Sequence, residues 1–457
     1  MSKPINQYHE QLIQAINGSE KPGYVYTYPP KRAFRPLDKE KFNLSSAWNT
    51  QTDGINIYLH IPFCKVRCKF CNLFTIPTSE SNRSVTEQFT EAMIQEIKNH
   101  EELIGSRKVE SIYFGGGTPT FLTPKQLGRI MEQLKRSFKY IPDNIEKSIE
   151  MYPDDSLEPG KLESIKEIGF NRISFGIQTF DSEELATTGR GYPAELGKEV
   201  IPLVKNLGFD DINIDLIYGL PGQDLASWKK NLHIAGELLP STVTLYPLMI
   251  RPVTAYSKQQ AVGKTEFKGF SEKFEWYEYA KQILKSYGYM QDSTVRFVLP
   301  GIGGYRQQDN EFAGTPTVGF GPGARSSSPD YHYSTDYAVA YGPTKGIIES
   351  YIESVLSGNY AATQGFELNY EEKIRRFVIQ AVQLPGGFNL LEFENTFGFP
   401  LLEKFSQEFA ALEEEDCITI VDNKVKLTEK GRKYSDMCAH LFYSQDVREL
   451  EKGYQHV

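Results

Sequence analysis

Ile55-Asn56-Ile57-Tyr58-Leu59-His60-Ile61, continued by Pro62-Phe63-Cys64-Lys65-Val66-Arg67-Cys68-Lys69-Phe70-Cys71, joins a β-strand pattern to three cysteines. The β-branched and aromatic run reads as a strand, and Pro62 closes it. The thiols follow at once with C-x3-C-x2-C spacing. Thiolates are soft ligands that hold iron-sulfur clusters, and this spacing on a loop can point three sulfurs at three irons of one [4Fe-4S] cube. The fourth iron is then open to a chelating small molecule. The competing readings are a zinc site or three unrelated cysteines. A tetrahedral structural zinc needs a fourth ligand, and the other two cysteines, Cys417 and Cys438, are far away in the chain. His60 could serve, but a histidine at a strand end is more often part of the framework.

Outward from this stretch, strand and helix patterns alternate. Residues 55–61, 111–114, 148–151, 172–177, 212–217 and 242–248 are six strand candidates. Between them lie segments with helical spacing: Val85, Phe89, Met93 and Ile97; Leu127, Ile130, Met131 and Leu134; Leu196, Val200, Leu203, Val204 and Leu207; Leu225, Trp228, Leu232 and Leu239. Such alternation argues for parallel strands joined by right-handed crossovers, an α/β sheet or partial (β/α)6 barrel with its chemistry at the C-terminal strand ends.

Before the barrel, residues 1–50 read as an N-terminal extension, with Tyr24-Val25-Tyr26-Thr27-Tyr28-Pro29-Pro30 as extended chain. The core and its own extension are assigned to 51–345, and a C-terminal domain to 346–457. There, helix-spaced residues from Tyr370 onward precede a hairpin, 417–421 and 424–427 around Asp422-Asn423, the outline of a winged-helix-like α+β domain. The acidic run Glu413-Glu414-Glu415-Asp416 would repel phosphates. With 50 Lys and Arg against 59 Asp and Glu, the net charge of -9 gives no general basic surface for nucleic acid. No apolar run approaches the roughly 18 residues that span a bilayer, and the N-terminus lacks a secretory core. The expected location is cytoplasmic, with no membrane partner.

On these cysteines and a series of motifs in matching order, the chain resembles the radical S-adenosylmethionine (SAM) enzymes, and within them the oxygen-independent coproporphyrinogen dehydrogenase superfamily, from about residue 20 to 440. That resemblance implies that Cys64, Cys68 and Cys71 hold a [4Fe-4S] cluster whose open iron takes the amino and carboxylate groups of SAM. It implies further that Gly115, Gly116, Gly117 and Thr118 after the second strand contact the SAM amino group, and that Tyr58 lies in the cofactor site. Glu150 at the third strand end would take an amine or ribose, Gln178 at the fourth the ribose or methionyl part, Arg190 the SAM carboxylate, and Asp215, an acid within an apolar fifth strand, a ribose hydroxyl.

Within the superfamily, true coproporphyrinogen dehydrogenases carry a further cysteine two positions after the third, where this chain has Leu73. Cys71-Asn72-Leu73-Phe74-Thr75 and Tyr305-Arg306-Gln307-Gln308-Asp309 look more like the class C radical SAM methylases, as does Val318-Gly319-Phe320-Gly321-Pro322-Gly323-Ala324-Arg325. The expectation is therefore a class C methyltransferase with two SAM molecules, Gly321 marking the second site. It would add a one-carbon unit to an sp2 carbon of a small molecule, by methylation or cyclopropanation, drawing electrons from a low-potential donor such as flavodoxin or ferredoxin. The alternatives are an oxygen-independent coproporphyrinogen III dehydrogenase, a heme-degrading or heme-chaperone relative, and a cluster-bearing winged-helix regulator. No residue is assigned to the chemical step on the substrate, and the substrate is not legible.

Overall fold

Strands and helices alternate from residue 54 in the computed structural model, which describes residues 7–17, 25, 27–38, 40–79 and 83–454. In chain order the core elements are β1 (Gly54–Ile61), α1 (Arg83–Ile104), β2 (Lys108–Gly116), α2 (Pro124–Ser137), β3 (Glu146–Met151), α3 (Lys161–Ile168), β4 (Arg172–Gln178), α4 (Leu196–Asn206), β5 (Asp211–Tyr218), α5 (Leu225–Leu238), β6 (Thr242–Pro247) and β7 (Thr317–Phe320). The spatial order is β7-β1-β2-β3-β4-β5-β6, every neighbouring pair parallel. The six expected strands are therefore the centre of an α/β sheet, and β7 adds a seventh parallel strand on the β1 side.

Antiparallel strands extend both edges. Arg296–Val298 and Met290–Gln291 follow β6; Arg325–Ser327, Tyr331–Ser334, Gln364–Glu367 and Arg35–Pro36 follow β7. Among the described residues the sheet thus has thirteen strands with two free ends, a barrel left open.

Local chemistry sets the helix limits. Thr123 and Gln126 form a reciprocal capping box with Pro124 in the first turn of α2, which buries Leu127, Ile130, Met131 and Leu134. Helix α3 lies between Gly160 and Gly169, both left-handed. Leu239, read as the last helical position of its segment, is instead the left-handed cap of α5 (φ 49°) and is exposed, because the helix has already ended at Leu238.

Around residue 390 a second core forms. Phe388–Asn389, Lys424–Leu427 and Ile418–Val421 make a three-stranded sheet packed by Leu390–Phe397, Leu401–Lys404 and Ser406–Glu414, a winged-helix-like arrangement. Asp422 (φ 50°) and Asn423 (φ 60°) both have positive φ, the type I′ geometry of a two-residue hairpin. The same core takes in Leu12, Val25, Tyr28 and Ala33, so N-terminal residues belong to it by packing. Thr27 to Pro29 form a bend rather than extended chain, and the Tyr28 hydroxyl donates to the buried Glu372 carboxylate. Tyr24 and Tyr26 lie outside the described residues. The boundary placed at 345/346 falls inside the helix Tyr341–Leu356. Ile348, Tyr351, Ile352 and Val355 of that helix pack in the barrel cluster. Among the described residues no helix is long and apolar enough to cross a membrane.

Candidate active site

The cysteine loop is a braced construction. Phe63–Cys64 pairs in parallel with Ile76–Pro77, the Ile76 amide donating to Pro62 O at 2.8 Å and the Thr78 amide to Cys64 O at 2.8 Å. The Lys69 amide donates to Thr188 O (2.8 Å), and the Tyr256 amide to Lys69 O (3.0 Å). Cys64, Cys68 and Cys71 are all partly buried and line one cavity of about 520 Å³. Cys417 and Cys438 are buried in the C-terminal core.

The loop after β2 is locked to this one. The Gly117 amide donates to Ile61 O (2.7 Å), the Thr118 amide to Phe63 O (2.8 Å), and the Thr118 hydroxyl to Cys64 Sγ (3.6 Å). A Cβ on Gly117 would lie 2.6 Å from Phe63 O and 3.0 Å from Cys64 Sγ, so only glycine fits this approach. Gly116 has φ 109°, and a Cβ there would meet the His60 ring. A Cβ on Gly115 would meet Tyr113 and Glu150.

Glu150 accepts from the Tyr113 hydroxyl (2.8 Å) and the Gly116 amide (3.1 Å), while burial pushes its pKa up to about 7. Asp215 accepts from Asn213 Nδ2 at 2.9 Å, and burial raises it to about 6. Gln178 has positive φ (70°) at a register shift between β4 and β5, a conformation costly for a non-glycine residue and characteristic of functional sites. Arg190 lies over the Tyr152 ring, 5.0 Å from its centroid, and donates through Nη1 to Gly176 O at 2.5 Å; its Nε is buried without a partner. Glu150, Gln178, Arg190 and Asp215 all line the cavity of the three thiols, as do Gly116, Gly117 and Thr118.

A second cavity, about 320 Å³, runs along the inner face of the sheet and shares Gly116, Glu150, Asp215, Tyr246 and Arg325 with the first. Tyr58 lies on it, stacked on Tyr113 (centroids 6.0 Å, interplanar angle 21°) and hydrogen-bonded to His60 Nδ1 at 3.1 Å. The other ring nitrogen of His60 donates to Phe74 O at 2.8 Å, and burial holds its pKa down to about 4. His60 is thus a neutral strut of the framework.

Gly321 is not brought to either cavity. Its φ is 90°, its amide donates to Glu96 Oε2 in α1 at 2.8 Å, and a Cβ would lie 2.6 Å from His60 O. The glycine is required because the turn after β7 packs against β1 and α1, and this corrects its assignment to a second SAM site. Sequence reasoning also passed over residues that line the second cavity: Tyr113, Tyr305, Arg172, Arg296 and Arg325. Arg172 opens a strand candidate and Tyr305 and Arg325 stand in motifs, but a lone arginine or tyrosine carries no signal of its own in the sequence.

The donor set fits a cluster bound with SAM. Three thiols face one cavity, burial pushes the Cys64 thiol up to about 12 and also raises Cys71, and neither shift favours free thiolates. A metal removes that penalty by binding the deprotonated sulfur. The orphaned Nε of Arg190 and the glycine approach supply donors for a carboxylate and a close ligand beside it.

The radical SAM superfamily model matches residues 58–235, and the HemN C-terminal domain model matches 368–434. The heme chaperone HemW of Bacillus subtilis (strain 168) is 27% identical over 377 residues, 82% of this chain and 95% of the relative. The oxygen-independent coproporphyrinogen III oxidase of Escherichia coli (strain K12) is 26% identical over 459 aligned residues, 96% of each chain. The solved coproporphyrinogen III oxidase (HemN) from Escherichia coli, described as a radical SAM enzyme, has the same fold, with a TM-score of 0.78, 24% identity, and coverage of 92% of this chain and 96% of the other. The chain belongs to the radical SAM superfamily and carries a HemN C-terminal domain. Within the superfamily it is close to the oxygen-independent coproporphyrinogen III oxidases. Membership implies a [4Fe-4S] cluster and SAM.

These relatives overturn the expectation of methyl transfer from a second SAM to an sp2 carbon: those that match over nearly the whole chain are coproporphyrinogen III oxidases. Leu73 had suggested otherwise. It is 49% exposed and lines both cavities, outside the three-thiol ligand set, so a leucine there leaves the cluster site complete.

Proposed function

We propose that this protein is an oxygen-independent coproporphyrinogen III oxidase, oxidising propionate side chains of a tetrapyrrole to vinyl groups. One observation carries the reading: the cavity of the cysteines shares wall residues with a second cavity lined by Arg325, which forms no ion pair among the described residues, and by Tyr58, Tyr113, Tyr305 and Tyr337, a setting for a large carboxylate-bearing substrate. The relatives so named support it over 96% of the chain, whereas the heme chaperone matches 82%.

When bound, the cluster and SAM supply the abstraction of a hydrogen atom. The chain's own residues hold and orient. Cys64, Cys68 and Cys71 bind the cluster. With SAM bound, Arg190 would hold its carboxylate, Glu150 and the Gly115–Gly117 backbone its amino group, and Gln178 and Asp215 its ribose. Tyr58 and Tyr113 wall the boundary with the second cavity. Conversion of one propionate to a vinyl group releases CO2 and removes one hydrogen atom and one further electron, which leaves to a one-electron acceptor. Two side chains oxidised call for two SAM molecules consumed per substrate. A low-potential donor of the flavodoxin or ferredoxin type supplies the electron for each SAM cleavage.

The test is anaerobic incubation of the reconstituted enzyme with coproporphyrinogen III, SAM and a reductant. Formation of protoporphyrinogen, CO2 and 5'-deoxyadenosine supports the reading. Heme bound tightly with no change in coproporphyrinogen would replace it by a chaperone role.

A further inference from the structure

We propose that Lys31, Arg325 and His332 form a carboxylate-binding subsite at the edge of the second cavity, occupied by a propionate of the substrate. This deepens the oxidase reading and rests on it. Arg325 and His332 are brought together by the antiparallel pair Arg325–Ser327 and Tyr331–Ser334, whose register sets Arg325 opposite Ser334 and Ser327 opposite His332. Alternation along the strands places all four on one face, and Arg325, Ser327 and His332 line the cavity.

His332 is 1% exposed. Its Nδ1 donates to Pro29 O at 3.0 Å, leaving Nε2 buried without a partner. Arg325 forms no ion pair among the described residues. Lys31, delivered by the short turn Lys31–Ala33, lays its ammonium over the ring of Tyr337, which lines both cavities, and Nζ is buried without a hydrogen-bond partner. Burial and Arg325 hold the Lys31 pKa down to about 6, as befits a buried cation beside another cation. Asp336 pulls the other way and stabilises the charge, but no carboxylate lies within ion-pair distance of Lys31 Nζ among the described residues; Asp336 accepts from Gln364 Nε2 at 2.9 Å, and Glu311 accepts from the Thr317 hydroxyl at 2.7 Å.

Buried cationic and nitrogen groups without partners are costly unless a ligand satisfies them. A carboxylate meets that need. By contrast, the other two arginines of the cavity already have carboxylates beside them: Arg296 holds Asp292 (2.8 Å) and Asp309 (2.6 Å), and Arg172, though its Nε makes no hydrogen bond, lies within ion-pair distance of Asp211 (3.5 Å) and Glu146 (3.7 Å). The subsite is therefore where the second cavity has charge left to give, and Lys31 draws the N-terminal segment into substrate recognition.

The experiment is equilibrium titration of the reconstituted holoenzyme with coproporphyrin III, the oxidised and fluorescent tetracarboxylate, and with its tetramethyl ester. Lys31→Met and Arg325→Met are each expected to weaken the tetracarboxylate about tenfold or more, for loss of a charged hydrogen bond, and to leave the ester affinity unchanged. Lys31→Arg keeps the charge and retains binding; unchanged iron content and melting temperature report that each variant is folded. Wild-type binding of the tetracarboxylate by both Met variants would overturn the subsite alone. Failure of the wild-type enzyme to bind coproporphyrinogen III itself, titrated anaerobically, would overturn the oxidase reading and the subsite together.

Discussion

The backbone amide of Gly116 donates to the carboxylate of Glu150 at 3.1 Å, so the glycine loop after β2 and the acid at the end of β3 are one construction. Gly117, the next residue, stands against the carbonyl of Phe63 and the sulfur of Cys64. The Glu150 side of the cavity and the cysteine loop are thereby coupled through two consecutive glycines.

Gly117→Ala tests that coupling. Its Cβ would lie 2.6 Å from a backbone oxygen, which no side-chain rotation relieves. Reconstituted iron content and thermal stability should both fall, by a cost of about 1–3 kcal/mol for overpacking. Wild-type iron content and melting temperature in this variant would show that the loops are not held as described.

Reconstitution of the wild-type chain should give about four irons. Replacing Cys64, Cys68 and Cys71 together with Ala should abolish iron and acid-labile sulfide. Replacing Cys417 and Cys438 with Ala should leave both intact, since these two thiols are packed in the C-terminal core. Iron retained by the triple variant would refute the ligand assignment.

Arg190→Ala and Asp215→Ala should weaken SAM binding by about 1.5–3 kcal/mol each, the worth of a charged hydrogen bond, with the cluster still assembled. Equilibrium binding to the reconstituted variants measures it. Unchanged affinity in both would move SAM elsewhere in the cavity.

Glu96, buried beside Tyr351 and the Gly321 amide, gives a prediction about pH. Burial raises its pKa from 4.5 to about 7. The folded chain therefore keeps a proton that the unfolded chain releases between these values, and stability falls as pH rises through that window. Glu96→Gln removes this contribution, so in ligand-free protein the stability difference between variant and wild type should shift in favour of the variant from pH 5 to pH 8. Parallel melting curves across that range would contradict the assignment.

The sequence was most legible where one residue type has one use. Three clustered thiols, an acid inside the apolar strand β5, and helix spacing between β-branched runs each left few structural solutions, and the open α/β barrel follows from them. Glycines were ambiguous in direction. Gly116 and Gly117 line the cavity, whereas Gly321 serves the packing of α1, and nothing in their spacing tells the two apart. Long-range pairing was not legible either. The parallel seating of β7 on β1, and the antiparallel strands that bring Arg325 and His332 to the cavity, join segments more than 250 residues apart or lack a local hydrophobic alternation. Lys31 is the extreme case, since its place depends on an N-terminal segment packed into a core built mainly from residues after 370. The reaction itself was misread from Leu73, a residue outside the ligand set.

The most direct measurement follows the hydrogen atom. Coproporphyrinogen III deuterated at the β-carbons of its propionates, incubated anaerobically with the reconstituted enzyme, SAM and a reductant, should yield monodeuterated 5'-deoxyadenosine together with protoporphyrinogen. Unlabelled 5'-deoxyadenosine with coproporphyrinogen left intact would contradict the account.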